Sequence, residues 1–325
     1  MLVPQFWAEA SARHREGRKQ VTVRRFGWSD ESEHAAQAHA DERAQEALIL
    51  VMTGAKLARR EPKVAYNGAE GVPIREEILE RHGDVVITRN QYGARCLNTP
   101  DVLFADIDFE NNPAPAYFLV VAAVAGVLGL AIGRAISGFG LGLVLMFAGL
   151  ISAYSIANSL SRLRTKASGG PERQAMARIE SFLRQKPQWR VRLYRTPAGL
   201  RALAMHRRFD PADSEVGEFF NAVRADRIYM RMCLNQRCFR ARLSPKPWRI
   251  GIGSHIKPRP GIWPVKPERL AERNQWNAKY EAAAQAYAAC ALVGDLGNGA
   301  IDAGAEAVRE LHDRECRVES GLPLA

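Results

Sequence analysis

The chain has 325 residues, 46 Lys/Arg against 35 Asp/Glu and a formal net charge of +11, with 47% hydrophobic and 25% charged residues. This is the composition of a folded protein with room for about two domains, and it excludes a disordered, fibrous or low-complexity chain. Five scattered cysteines, Cys96, Cys233, Cys238, Cys290 and Cys316, form no CxxC pair, which points to reduced thiols rather than a disulfide framework or zinc site.

The opening MLVPQFWAEASARHREGRK lacks the basic-then-apolar order of a secretory signal. Val21–Phe26 reads as a strand. A helix follows from about Asp30 to Met52, with Ser29 or Asp30 as N-cap and Gly54 near its end. Pro73 opens a short predicted helix, PIREEILERHG, closed by Gly83. Three strands follow: Val85–Arg89, Ala94–Asn98 and Val102–Phe109. In the last of these, VLFADIDFE, alternation sets Asp106 and Asp108 on one face and Leu103, Ala105, Ile107 and Phe109 on the other. The aspartates are either a metal-binding edge or the solvated end of a central strand, facing a polar cleft beside Arg195 or Arg201.

From Ala116 come two apolar runs, AYFLVVAAVAGVLGLAIG and FGLGLVLMFAGLISAYSIA, separated by a break that carries Arg134 and Gly138. Each is long enough to cross a bilayer core. Small residues four apart, Gly129/Gly133, Gly138/Gly142 and Ala148/Ser152, suit close helix packing. Arg162, Arg164, Lys166, Arg173 and Arg178 follow the second run, and the positive-inside rule then puts both termini in the cytoplasm of a bacterial inner membrane.

Beyond the apolar runs, Pro171 to about Arg184 is an amphipathic helix with Met176, Ile179, Phe182 and Leu183 inward. Arg190–Thr196 and Leu200–His206 form a hairpin, and a helix spans about Ser214–Arg224. Ile228–Leu234 and Arg237–Leu243 read as another hairpin, with Cys233 and Cys238 facing each other across it. A Pro-rich basic segment, 245–267, carries Trp248 and Trp263; two Ala-rich helices near 267–293 and 300–316 end the chain. The tryptophans can pack, sit at a lipid interface or stack on bases. The pattern implies an α+β protein: an antiparallel-hairpin sheet with flanking helices, interrupted by a two-helix transmembrane hairpin. Its segments are 1–115, 116–158, 159–266 and 267–325.

Charge is unevenly spread. Residues 1–115 hold 15 Lys/Arg against 18 Asp/Glu, whereas 184–273 hold 21 against 7, mostly arginine. Such a stretch suits the phosphates of nucleic acid, nucleotide or anionic lipid, with Arg195, Arg201, Arg240, Arg242, Lys246 and Arg249 as candidate contacts. It equally suits a solvated surface under a negative leaflet. His206, His255 and His312 show no ligand spacing and read as ordinary polar residues, and GIGSH at 251–255 reads as a turn.

The strand FADID resembles the first motif of the archaeo-eukaryotic primase-polymerase superfamily. YRTPAGLRALAMH and ADRIYMRMCLNQRCFRARLSPKP are similar in shape to its second motif and third region, with Arg201 standing where the second motif has histidine. The resemblance covers about half the chain. It implies Asp106, Asp108 and Asp226 as catalytic carboxylates, with Mg²⁺ or Mn²⁺ on Asp106 and Asp108. It further implies Arg240, Arg242, Ser244 and Lys246 on phosphates, and nucleotidyl or phosphoryl transfer. The whole chain also resembles a group of bacterial two-span membrane proteins, which implies no activity and leaves a structural or interaction role as the first expectation.

Overall fold

The computed structural model describes residues 3–17, 19–61, 72–109, 115–167 and 169–325. Two long strands, β1 (Phe6–Glu16) and β2 (Lys19–Ser29), pair antiparallel, and helix α1 (Glu33–Met52) lies against them. Ser32 caps α1 by accepting from Ala35 N at 3.1 Å, two residues after Asp30 and three after Ser29, the expected caps. The buried face of α1 is Ala36, Ala40, Ala44, Ala47 and Leu48. Small residues are required there: a Cβ on Gly27 of β2 would fall 2.2 Å from the Ala40 nitrogen.

Strands β3 (Glu77–His82), β4 (Val85–Arg89) and β5 (Arg95–Thr99) follow, then β6 (Phe104–Asp108). The segment expected to be a helix from Pro73 is thus strand β3. Glu76, just before it, is buried and accepts from Thr88 Oγ1 and pairs with Arg240, both at 2.6 Å. Those tertiary bonds, and pairing to β4, outweigh a local helical pattern.

Later elements are α2 (Pro115–Ser137), α3 (Phe139–Ala167), α4 (Gly170–Gln185), β7 (Arg190–Thr196), β8 (Gly199–Ala204), α5 (Ser214–Val223), α6 (Arg227–Gln236), β9 (Phe239–Arg242), α7 (Leu270–Ala284), β10 (Ala291–Gly297) and α8 (Ala303–Cys316). Where a hairpin was expected at 228–243, helix α6 precedes β9. Its buried residues, Tyr229, Met232, Cys233 and Gln236, recur at helical spacing, and Asp226 caps it by accepting from Tyr229 N at 2.6 Å. The helix expected over 267–293 ends at Ala284, and its tail becomes β10, zipped antiparallel to β7.

The chain divides into two units. The first, residues 1–106, 186–197 and 201–325, holds the sheet β3-β4-β5-β9 and most of the sheet β10-β7-β8-β6. Strand β5 pairs antiparallel with β9, so residues 95–99 and 239–242 share a sheet although the apolar runs lie between them in sequence. Residues 1–106, 186–197 and 201–325 therefore interleave in an α+β body, whereas 159–185, expected to belong to the basic α+β part, fall in the second unit with the apolar helices. Strand β6 is an edge strand rather than a central one; on its free side the Asp226 N–H donates to the Asp106 carbonyl at 3.1 Å.

The second unit, residues 107–185 and 198–200, contains α2, α3 and α4. Phe118–Ser137 and Phe139–Ser161 are long and apolar enough to cross a membrane, with mean hydropathy 2.2 and 2.0. Only 11% of each apolar window is buried, unlike the core helices of soluble proteins. A Cβ on Gly133 would lie 2.4 Å from the Gly142 Cα, and one on Gly129 2.5 Å from the Leu145 carbonyl oxygen, so these glycines set the helix contact. Gly138 instead makes the turn, at φ +94°. Ala148 and Ser152 face outward; Ala153 and Ala157 take the buried positions.

Candidate functional site: an arginine pocket joined to a buried cysteine–histidine cluster

A pocket of about 210 Å³ opens in the first unit among Asn90, Gln91, Tyr92, Cys96, Asp106, Tyr229, Arg240 and Arg242. The turn between β4 and β5 supplies its rim. Asn90 Oδ1 accepts from Tyr92 N at 3.2 Å and Ala94 N at 3.0 Å, closing the turn on itself. Gly93 sits at φ +98°, and a Cβ there would strike the Trp276 ring at 2.2 Å. The Tyr229 hydroxyl ties β6 to β9, donating to the Phe104 carbonyl at 2.9 Å and accepting from Arg240 N at 3.3 Å.

The two pocket arginines differ. Arg240 is neutralised by buried Glu76 at 2.6 Å. Arg242 has no carboxylate within ion-pair distance among the described residues, and its buried Nε has no hydrogen-bond partner. Arg242 still feels the charge of Asp106 across the pocket, but a guanidinium in no ion pair on a largely apolar wall favours an anion.

Asp106 forms the other wall. Arg201, 1% exposed, donates Nε to Asp106 Oδ1 at 2.8 Å and places Nη2 3.5 Å from Oδ2. Burial alone would raise the carboxyl pKa, but the charge and hydrogen bond of Arg201 outweigh it and hold Asp106 below the usual carboxylate value. Arg201 Nη1 also donates to the Arg242 carbonyl at 2.9 Å and lies 3.2 Å from His312 Nε2.

Behind Arg201 is a cluster absent from the sequence expectations. The Sγ of Cys290, Nε2 of His312 and Sγ of Cys316 are all buried and lie within 4.8 Å of one another. His312 Nδ1 bonds Asp313 Oδ1 at 2.9 Å, and Cys316 Sγ lies 3.6 Å from the Arg242 carbonyl. A hydrogen bond from Cys316, with His312 and Arg201 adding to it, holds the Cys290 thiol well below its ordinary range despite burial; burial pushes Cys316 up. The legible signal was His312-x₃-Cys316 on one helix, since residues four apart share a face. Cys290, distant in sequence, gave none.

The structure brings Asp106, Arg201, Arg240 and Arg242 together. Asp108 is exposed at the end of β6, Asp226 caps α6, and Arg195 is exposed on β7. Asp106, Asp108 and Asp226 do not form a converging donor group of the kind made by Cys290, His312 and Cys316 among the described residues. Ser244 is buried, accepting from Arg95 N at 2.8 Å and lying 2.6 Å from the Tyr280 hydroxyl. Lys246 lies 5.4 Å from the Trp248 ring, and Arg249 is half-buried.

Comparison with protein-family models, curated proteins and solved structures finds no match for this chain.

Proposed function

We propose that the protein is a two-span inner-membrane protein whose α+β body binds a small phosphate-bearing ligand at Arg242. The observation that carries this reading is the Arg242 guanidinium, in no ion pair among the described residues, lining a largely apolar pocket of about 210 Å³. That volume is below the roughly 300–1,000 Å³ typical of whole drug-sized ligands, so it suits a phosphate with a small attached group. An extended polyanion face has less support. Within the basic stretch, Arg192 pairs with Asp313, Arg201 with Asp106, Arg207 with Glu215, Arg240 with Glu76, Arg269 with Glu272 and Arg273 with Glu77. Much of the charge excess is thus spent on internal carboxylates.

Detergent-purified protein titrated with inorganic phosphate and small phosphomonoesters should gain thermal stability, as ligand linkage requires. Arg242→Ala should remove the gain and Arg242→Lys should weaken it. An unchanged response in Arg242→Ala would reject the site.

One observation supports the enzyme alternative: the Asp226 N–H bonds the Asp106 carbonyl at 3.1 Å, setting two of the three expected carboxylate residues side by side. Nucleotidyl or phosphoryl transfer would then require Mg²⁺ or Mn²⁺ to replace Arg201 at Asp106. A Mn²⁺-induced rise in melting temperature, lost in Asp106→Asn, would favour it over the binding role.

A further inference from the structure

We propose that Cys290, His312 and Cys316 form a buried three-coordinate site for a thiophilic monovalent ion, Cu⁺. This stands independently of the ligand bound at Arg242. Three features carry it. First, the donors are two thiols and an imidazole whose ligating atoms lie within 4.8 Å of one another, all fully buried. Second, the Cys290 Sγ to His312 Nε2 distance is 3.9 Å. Bonds of about 2.0 Å to nitrogen and 2.3 Å to sulfur, opened to a trigonal angle, separate the two donors by about 3.8 Å. Third, His312 Nδ1 is bound to Asp313 Oδ1 at 2.9 Å, which turns Nε2 toward the sulfurs. A carboxylate on the far nitrogen is the usual support of a metal-bound histidine.

The local fold supplies the arrangement. His312 and Cys316 are one turn apart on α8, and the Ala289 N–H donates to the Cys316 carbonyl at 3.0 Å, which brings Cys290 alongside. Cys290 immediately precedes β10, an edge strand with a bulge between Leu292 and Gly294, and the exposed pattern of that strand gives an ion an entry side. Cysteine thiolates select Cu⁺ or Zn²⁺ among common ions. Structural zinc takes four ligands and catalytic zinc three plus a water, whereas the three converging donors here are fully buried, which favours three-coordinate Cu⁺. Loading releases the protons carried by the donors and displaces the Arg201 Nη1 contact to Nε2, while Arg201 keeps Asp106 and the Arg242 carbonyl.

Full-length protein, extracted in detergent under reductant and stripped of metal, is titrated with Cu⁺ against a competing chelator and, separately, with Zn²⁺. One Cu⁺ per chain is expected, with a copper absorption edge fitted by two sulfurs and one nitrogen. Cys316→Ser and His312→Gln should weaken uptake by at least about tenfold, and Asp313→Asn, acting through His312, by about tenfold. Cys233→Ala should leave it unchanged. The wild-type absorption spectrum decides the matter even where a variant fails to fold. Uptake of Zn²⁺ alone, no uptake of either ion, or a Cys290–Cys316 disulfide in place of uptake would each overturn the assignment.

Discussion

Asp106 and Arg201 show how one pair answers for two neighbouring environments. Removing the carboxylate leaves a guanidinium that is 1% exposed with its charge unmatched. Breaking a fully buried pair costs about 3–5 kcal/mol; because Asp106 is 34% exposed, solvent screening lowers the expectation for Asp106→Asn to about 2 kcal/mol. The sign of the pH dependence follows from the lowered carboxyl pKa. The folded state holds the proton less tightly than the unfolded state, so the stabilisation is complete above the unfolded value and is lost as pH falls through the folded one. Denaturant melts should show wild type and Asp106→Asn well separated at pH 7 and converging below about pH 4. A separation that persists in acid would assign the effect to packing.

At the scale of elements, α6 separates two readings of Asp226. Its carboxylate accepts from Tyr229 N at 2.6 Å and so caps the helix that carries Tyr229 to the pocket. Asp226→Ala should cost about 1 kcal/mol, an N-cap's usual value, equally with and without Mn²⁺ in thermal melts. A cost that appears only with Mn²⁺ would make Asp226 a metal ligand. The same helix explains why a strand was expected. The run IYMRMCL alternates apolar and polar residues over a few positions, while Tyr229, Met232, Cys233 and Gln236 also fit a helical stripe. Short runs satisfy both periods, and the cap together with the left-handed Arg237 at φ 47° chose between them. Strand β3 went the other way, because Glu76 is tied to Thr88 on the next strand and to Arg240, 164 residues away in the sequence.

For the whole molecule, the expectation concerns topology. If the two exposed apolar helices joined by a tight turn at Gly138 cross a membrane, they return the chain to the side from which it left, and the Lys/Arg residues at the end of α3 and in α4 should hold that side in the cytoplasm. Reporter fusions at both ends should report cytoplasmic locations; a periplasmic signal from either end would reject the topology. The pairing of β5 with β9 makes the same demand, since the segments before and after the apolar helices share a sheet.

What the sequence determined by itself is whatever depends on neighbours along the chain. The apolar helices, α1, α4, α5 and α8, and strands β4 to β8 were legible because hydrophobic period, capping residues and turn glycines are local signals. The sequence also singled out Asp106, Arg201, Arg240 and Arg242 as residue types suited to a polar site. The tertiary structure alone decided that Arg201 belongs to Asp106, that Arg240 is spent on Glu76, and that Arg242 keeps its charge for the pocket. It alone brought Cys290 to His312 and Cys316. Ion pairs and donor clusters are set by contacts across 95 residues, as for Asp106 and Arg201, or 22, as for Cys290 and His312. No period or spacing along the chain encodes those distances, because they are fixed by which strands pair and what the buried charges require.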